Sequence, residues 1–343
     1  MRVQEGDYAR VALVILGGVV GSAVIALTDH PALNQLKTAA LESVEKRNYF
    51  EDAPHLCVFV LISLWVITFF TGEVTKNYSQ VDKLWSLLPP LFGWIYALDA
   101  PTNTRLTLMA FVVTIWSIRL TLNFYRRGGY TWPPWEGEED YRWQHVQAFL
   151  NAHENVALWK AFHLGFICIY QILLLFYTTL PFHFVWYAHK YQKLNEPISE
   201  MDIILALGII GLVAMEALTD EEQYLFQEEK YRLLKLGYTK KDLPMPYRQG
   251  FLSTGVFAYS RHMNYFCEQS IWFVLNVFIY TATRKELITP AVGGAILLAV
   301  LFQGSIWLQE QTTADKWPLY AQYIEQVPQL FPYGSGFTPK NTK

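Results

Sequence analysis

Twelve consecutive residues near the last third of the chain could do chemistry together: Tyr259-Ser260-Arg261-His262-Met263-Asn264-Tyr265-Phe266-Cys267-Glu268-Gln269-Ser270. A guanidinium, an imidazole, an amide, two phenols and a carboxyl stand directly before an apolar run, Ile271 to Tyr280. Polar groups at the mouth of a membrane helix are costly unless they are solvated, paired or used. The stretch therefore reads as the lip of a site, and the rest of the chain as its scaffold. The bland alternative is equally concrete. Arg261 and Arg127 can serve membrane topology alone, and Glu268 and Glu310 can pair with Arg261 or Lys316.

The scaffold is legible in where the apolar residues fall. The 343 residues are 52% hydrophobic and 16% aromatic, and the apolar ones come in blocks. Eight blocks are long enough to be spans: 8–27, 55–71, 84–98, 106–124, 157–188, 198–218, 270–283 and 289–308. The fold class that follows is all-α, a polytopic membrane helix bundle of about 7–8 transmembrane helices. The third block is short and broken by Pro89-Pro90, and the fifth exceeds one crossing, with tilt or a kink at Pro181 to absorb the excess. Gly17 and Gly21 form a small-xxx-small pair that suits close helix packing, or are ordinary membrane-helix glycines. A polar helical run follows Leu218, and Gly237 looks like its C-cap.

Eight crossings put both termini on one side. Arg126, Arg127, Arg142, Lys230, Arg232, Lys235, Lys240, Lys241, Arg248 and Arg261 fall on that side, which marks it as cytoplasmic, or as matrix-facing in a mitochondrial membrane. The polar clusters lie on the same side. They include the aromatic, charged segment 125–156, with Trp132, Trp135 and Trp143. The net charge of −3 and the absence of a basic stripe argue against nucleic acid. Cys57, Cys168 and Cys267 are too scattered for a disulfide framework or a metal spacing. The acidic run Glu136 to Asp140 has no histidine or cysteine at ligand spacing, so no metal is expected. Residues 11–27 are too long for a cleavable signal segment.

At Ser260-Arg261-His262-Met263-Asn264-Tyr265-Phe266-Cys267-Glu268 the sequence resembles the steroid 5-alpha-reductase type of membrane protein, in particular its DUF1295 branch, whose signature reads S-R-H-P-N-Y-F-G-E. Further pieces match in family order. They are Asn77-x-Ser79-x-Val81-Asp82-Lys83-Leu84-Trp85, Arg119-Leu120-Thr121-x-Asn123-Phe124 with Arg127-Gly128-Gly129-Tyr130, Glu138 to Trp143, and Glu310 with Pro318-x-Tyr320-x-x-Tyr323. The resemblance covers residues 75–333. It divides the chain into an N-terminal membrane segment with two helices (1–74), the family domain (75–333) and a polar tail (334–343). It departs at Met263, where the family has Pro, and at Cys267, where it has Gly.

The resemblance implies NADPH entering from the cytoplasmic face, a lipid-like substrate from the bilayer, and reduction of a carbon–carbon double bond. Arg119, Arg127 and Arg261 would then meet cofactor phosphates. Asp220 and Asn264 would meet ribose hydroxyls or the carboxamide, and His262 and Tyr265 the phosphate or nicotinamide. Glu268 and Glu310 stand at helix ends on the same face. Tyr78 and Tyr125 are the candidate proton donors, since a phenol stays protonated at neutral pH. Related branches methylate prenylated cysteine, so an S-adenosylmethionine-dependent methyltransferase is a second reading. A non-catalytic structural subunit of a membrane complex is a third. The family's lipid chemistry points to the endoplasmic reticulum, with a mitochondrial membrane as the alternative.

Overall fold

The computed structural model describes residues 5–195 and 197–339. In chain order its helices are α1 (Glu5–Leu27), α2 (Pro31–Lys46), α3 (Ala53–Thr75), α4 (Leu88–Asp99), α5 (Thr104–Arg126), α6 (Tyr141–Phe149), α7 (Val156–Phe162), α8 (Gln171–Thr178), α9 (Leu180–Lys190), α10 (Glu200–Lys235), α11 (Met263–Thr283), α12 (Val292–Lys316) and α13 (Leu319–Gln326). The chain is all-helical, with no strand among the described residues.

Local chemistry sets many of these boundaries. Asp52 and Asn103 cap α3 and α5 by accepting hydrogen bonds from His55 N (3.3 Å) and Leu106 N (3.1 Å). Pro89 and Pro90 do not break a helix. They stand in the first turn of α4, where a missing N–H costs nothing. Pro181 likewise opens α9, so the long fifth apolar block is divided at Thr179. Before that division the chain passes through a π-helical stretch, His163–Tyr170, which joins α7 to α8.

Each of the eight apolar blocks contains a helix. Among the described residues, five helical stretches are long and apolar enough to cross a membrane individually: Ala53–Thr75, Thr104–Arg126, Val156–Thr178, Glu200–Lys235 and Val292–Lys316. A sixth crossing counts if Ala12–Leu27 and Pro31–Lys46, bent by 98°, form one broken span. Two blocks are not among these: α4 has 12 residues, a rise of about 18 Å against the roughly 30 Å of hydrocarbon, and α11 is long enough but carries Asn264, Glu268, Gln269 and Asn276. The last turns of α10 hold a correction. The apolar run to Leu218 and the polar run after it are one 36-residue helix, with no break where hydropathy changes. It ends at Gly237, whose φ of 95° is the left-handed cap geometry expected.

The chain forms two compact units. One comprises residues 5–210 and 272–300, and the other residues 211–271 with residues from 301 onward. In the first unit α1 packs through its glycines. A Cβ on Gly21 would lie 2.3 Å from Leu297 Cδ2, and one on Gly17 3.2 Å from Val300 Cγ1. The small-xxx-small pair is therefore used, within the chain. Elsewhere on α1, Leu13, Leu16, Val19, Val20 and Val24 are exposed, as lipid-facing residues would be.

The same unit holds a fully buried ion pair. Arg105 donates from Nε to Asp202 Oδ1 (2.9 Å) and from Nη2 to Oδ2 (3.0 Å), with side chains 1% and 0% exposed. Thr281 Oγ1 (2.5 Å), Ser199 N (2.7 Å) and Ser199 Oγ (2.8 Å) also donate to Asp202. One carboxylate thus ties the starts of α5 and α10 to the end of α11. Removing one partner of a buried pair strands the other charge, at about 3–5 kcal/mol. Asp202→Ala should therefore lower the thermal unfolding midpoint of the detergent-solubilised protein sharply, and Asp202→Asn less so. An unchanged melting curve for Asp202→Ala would contradict the tie.

Candidate functional site

The opening signature lies in the second unit. A short turn, Gly255–Ala258, leads into Tyr259 to His262, and α11 starts at Met263. The chain's last segment lies along this stretch and satisfies its backbone. Arg261 N donates to Pro328 O (2.9 Å), His262 N to Gln329 O (3.0 Å), Gly334 N to Tyr259 O (3.0 Å) and Gly336 N to Ala258 O (3.2 Å). Ser260 Oγ adds a bond to Leu330 O (2.8 Å), and Tyr323 OH one to Phe257 O (2.6 Å). Phe251, Tyr320, Tyr323 and Val327 form a buried cluster that holds this segment down.

Three of the predicted residues meet at one oxygen. Arg261 Nε donates to Glu310 Oε1 (2.8 Å), and His262 Nε2 lies 2.9 Å from the same atom. Arg261 Nη1 also donates to Ile324 O (3.0 Å) and to Val327 O. All three side chains are about nine-tenths buried. The pairing of Glu310 with Arg261, raised as the bland reading, is the one that forms. Tyr265 stacks on the His262 ring, centroids 5.6 Å apart, and accepts a hydrogen bond from Gln309 Nε2 (2.6 Å) at its hydroxyl. Asn264 is half-buried on the first turn of α11, while Asp220 and Glu268 are buried in the same unit. Glu216, fully buried on α10, escaped the sequence reading. Its signal was a charge deep in the sixth apolar block, fourteen residues beyond Asp202.

The remaining predicted residues belong to the first unit, where a second polar assembly forms. Two motif pieces some fifty to sixty residues apart are zipped together there. Asn77 Nδ2 donates to Gly137 O (3.0 Å), Gln80 Nε2 to Trp135 O (2.8 Å), and Asp140 N to Ser79 Oγ (2.9 Å). The buried ammonium of Lys83 spends its three protons on Pro134 O (3.0 Å), Glu136 O (2.6 Å) and Gln80 Oε1 (3.2 Å). Asp82 accepts from Trp143 Nε1 at 3.1 Å. Tyr130 OH closes the assembly on Lys83 O (2.6 Å).

Tyr78 is enclosed by this assembly. Its N–H donates to Glu139 Oε1 (2.7 Å), and its ring meets those of Trp159 (4.8 Å) and His163 (4.7 Å) edge-on. Tyr125 is 64% exposed on α5, which offers no enclosed site. Arg119 is half-buried on α5 and Arg127 is exposed at its C-terminus. Behind Tyr78, the buried His163 has its Nδ1 2.9 Å from Oε1 of the half-buried Glu73, a pair the sequence reading also missed. Its place at the start of a π-helical stretch is characteristic of functional positions. Burial pulls the Lys83 ammonium below its ordinary range and pushes the Glu139 carboxyl up. Burial also raises Asp140, but the charge and hydrogen bonds of Arg142 outweigh it and hold that carboxyl low.

Comparison with known proteins places this architecture. A family model described as a protein of unknown function, DUF1295, matches residues 64–327. The chain belongs to the DUF1295 family. An uncharacterized protein of Schizosaccharomyces pombe is 32% identical over 328 residues, covering 88% of each chain. No solved structure matches. All the motif pieces of this DUF1295 protein, from Asn77 to Tyr323, lie inside the matched range, which begins within α3.

Two outcomes follow from the two assemblies. Glu310→Ala strands Arg261 beside His262 and should cost about 3–5 kcal/mol, with faster amide exchange in residues 318–337. Exchange there at the native rate would show that the cluster does not hold the segment. Lys83→Met frees the carbonyls of Pro134 and Glu136, so trypsin should cut at Arg142 sooner while α3 and α5 stay protected. The Asp140–Arg142 contribution is complete above the ordinary carboxylate range and drains as pH falls through the lowered folded value. Exchange in α6, which Asp140 caps, should therefore rise in acid and not in base.

Proposed function

We propose that this DUF1295 protein is an integral membrane reductase that uses NADPH to saturate an activated carbon–carbon double bond in a sterol, prenol or fatty enoyl lipid. The observation that carries the reading is the signature stretch itself. It is folded as a buried polar mouth of α11, with Asn264 and Tyr265 on its first turn and Asp220 and Glu268 buried in the same unit.

These residue types fit the group. NADPH, when bound, supplies the hydride. Asn264 and Tyr265 would hold the carboxamide and ribose end, and Asp220 and Glu268 would accept from hydroxyls. The resemblance assigns Arg119 and Arg127, which lie in the first unit, to phosphate, for which the planar guanidinium is suited. Arg261 has given Nε to Glu310 and Nη1 to two carbonyls, so it positions the start of α11 with His262 and Glu310. Tyr78, walled by Trp159 and His163, is the proton donor in this reading. The lipid chemistry fits the endoplasmic reticulum, and a mitochondrial membrane is the alternative.

One observation favours a non-catalytic structural subunit instead: Arg261 and His262 both pair with Glu310 within the chain. A methyltransferase using S-adenosylmethionine needs fewer phosphate-binding cations and is the third reading. Fluorescence titration of the purified protein with NADPH separates them. Saturable binding, weakened at least about tenfold by Asn264→Ala and by Arg127→Ala and not displaced by S-adenosylmethionine, is the expected result. A well-folded protein that binds no NADPH would leave the structural reading standing.

A further inference from the structure

The second unit holds an open cavity of about 650 Å³ that the reductase reading does not use. Its walls include Met215, Val256, Tyr259, Met263 and Pro332, and its one charged lining residue is Glu222. Met215 and Glu222 lie seven residues apart on α10, hence on one helix face and about 10 Å apart along the axis. Between them α10 changes from the apolar run ending at Leu218 to Thr219-Asp220-Glu221-Glu222. The groove therefore runs along the polar–apolar boundary of a membrane helix. Whatever fills it must be apolar at the Met215 end and polar at the Glu222 end.

The polar end selects a charge. The Glu222 carboxylate is fixed in place, with Oε2 accepting from Val256 N at 3.0 Å. Oε1 lies where only glycine fits, since a Cβ on Gly255 would be 2.4 Å from it. No lining residue carries a positive charge, so an anionic headgroup would meet only repulsion there. Tyr259, exposed at the rim, offers an aromatic face, and a carboxylate beside such a face favours an ammonium ion. Met215 is 38% exposed, which leaves the apolar end open to an acyl chain arriving from the bilayer. Met263, the residue that stands in place of the family's proline, supplies a flexible thioether wall.

We infer that this groove binds a membrane lipid with a cationic ammonium headgroup, the ammonium at Glu222 and Tyr259 and the chain along Met215 and Met263. The inference is independent of whether the protein reduces anything. Photolabelling in neutral maltoside micelles at pH 7 tests it, using the full chain with two probes. One is an 18-carbon primary alkylamine bearing a chain diazirine, and the other is the carboxylic acid of the same chain. The amine should label the peptides containing Met215 and Met263 at least about tenfold more efficiently than the acid does. Glu222→Gln keeps an acceptor for Val256 N but removes the charge, and it should erase that preference. Met215→Trp fills the apolar end and should abolish labelling by both probes. Equal labelling by amine and acid in the wild-type protein overturns the proposal, as does an amine preference that survives Glu222→Gln. The wild-type comparison stands even if a variant fails to fold. NADPH titration of the same samples keeps this result separate from the fate of the reductase reading.

Discussion

A charge that enters a bilayer must bring its counterpart with it, and the polar architecture of this protein follows from that requirement. An ionisable side chain at the centre of a membrane helix costs about 2.5–3.5 kcal/mol even on lenient scales. Asp202 meets the cost with Arg105, two hydroxyls and a backbone amide, and Glu310 with Arg261 and His262. Each carboxylate therefore does more than survive burial, because its partners come from other helices or from the C-terminal segment. Asp202 fixes α5 and α11 at one end of its unit. Glu310 fixes where α11 begins and where residues 324–327 lie.

The loop assembly around Tyr78 solves the same problem outside the helices. A long connection carries backbone groups that nothing regular satisfies. Here Lys83, Asn77 and Gln80 supply donors to four carbonyls between Pro134 and Gly137, and the loop is held without a strand. The arrangement costs Lys83 its solvation and leaves it no free proton for a ligand. Lysine at that position is thus a builder of the enclosure rather than an anion binder, and Tyr78 is what the enclosure surrounds.

Much of this was legible in the sequence, and the failures have physical causes. Apolar blocks located the helices because lipid exposure demands them. The helical run after Leu218 was legible, but hydropathy could not show that it continues α10 without a break, since helix propagation depends on backbone bonds and not on what surrounds them. Pro89-Pro90 was misread as a break because proline means one thing inside a helix and another in its first turn. The Arg261–Glu310 pair could be named in advance as an alternative, both residues being charges at helix ends. Glu73 and His163 could not, because their partnership spans 90 residues and no local pattern announces it. Lys83 stood inside a motif piece with no role assigned to it. Its carbonyl partners carry no sequence signature at all.

The two departures from the family signature bear on what the site does. Met263 and Cys267 are both buried, on successive turns of α11, and neither carries charge. Around them Arg261, His262, Asn264, Tyr265 and Glu268 remain as the signature has them. Loss of chemistry would be expected to erode costly polar groups first, since a buried charge without a purpose is a standing penalty. Here the polar set is intact and only the shape of the apolar wall has changed. A flexible thioether in place of the proline and a thiol in place of the glycine change the wall without adding or removing a charge. The polar groups around them have a use in the fold itself, since Arg261, His262 and Glu310 together fix where α11 begins.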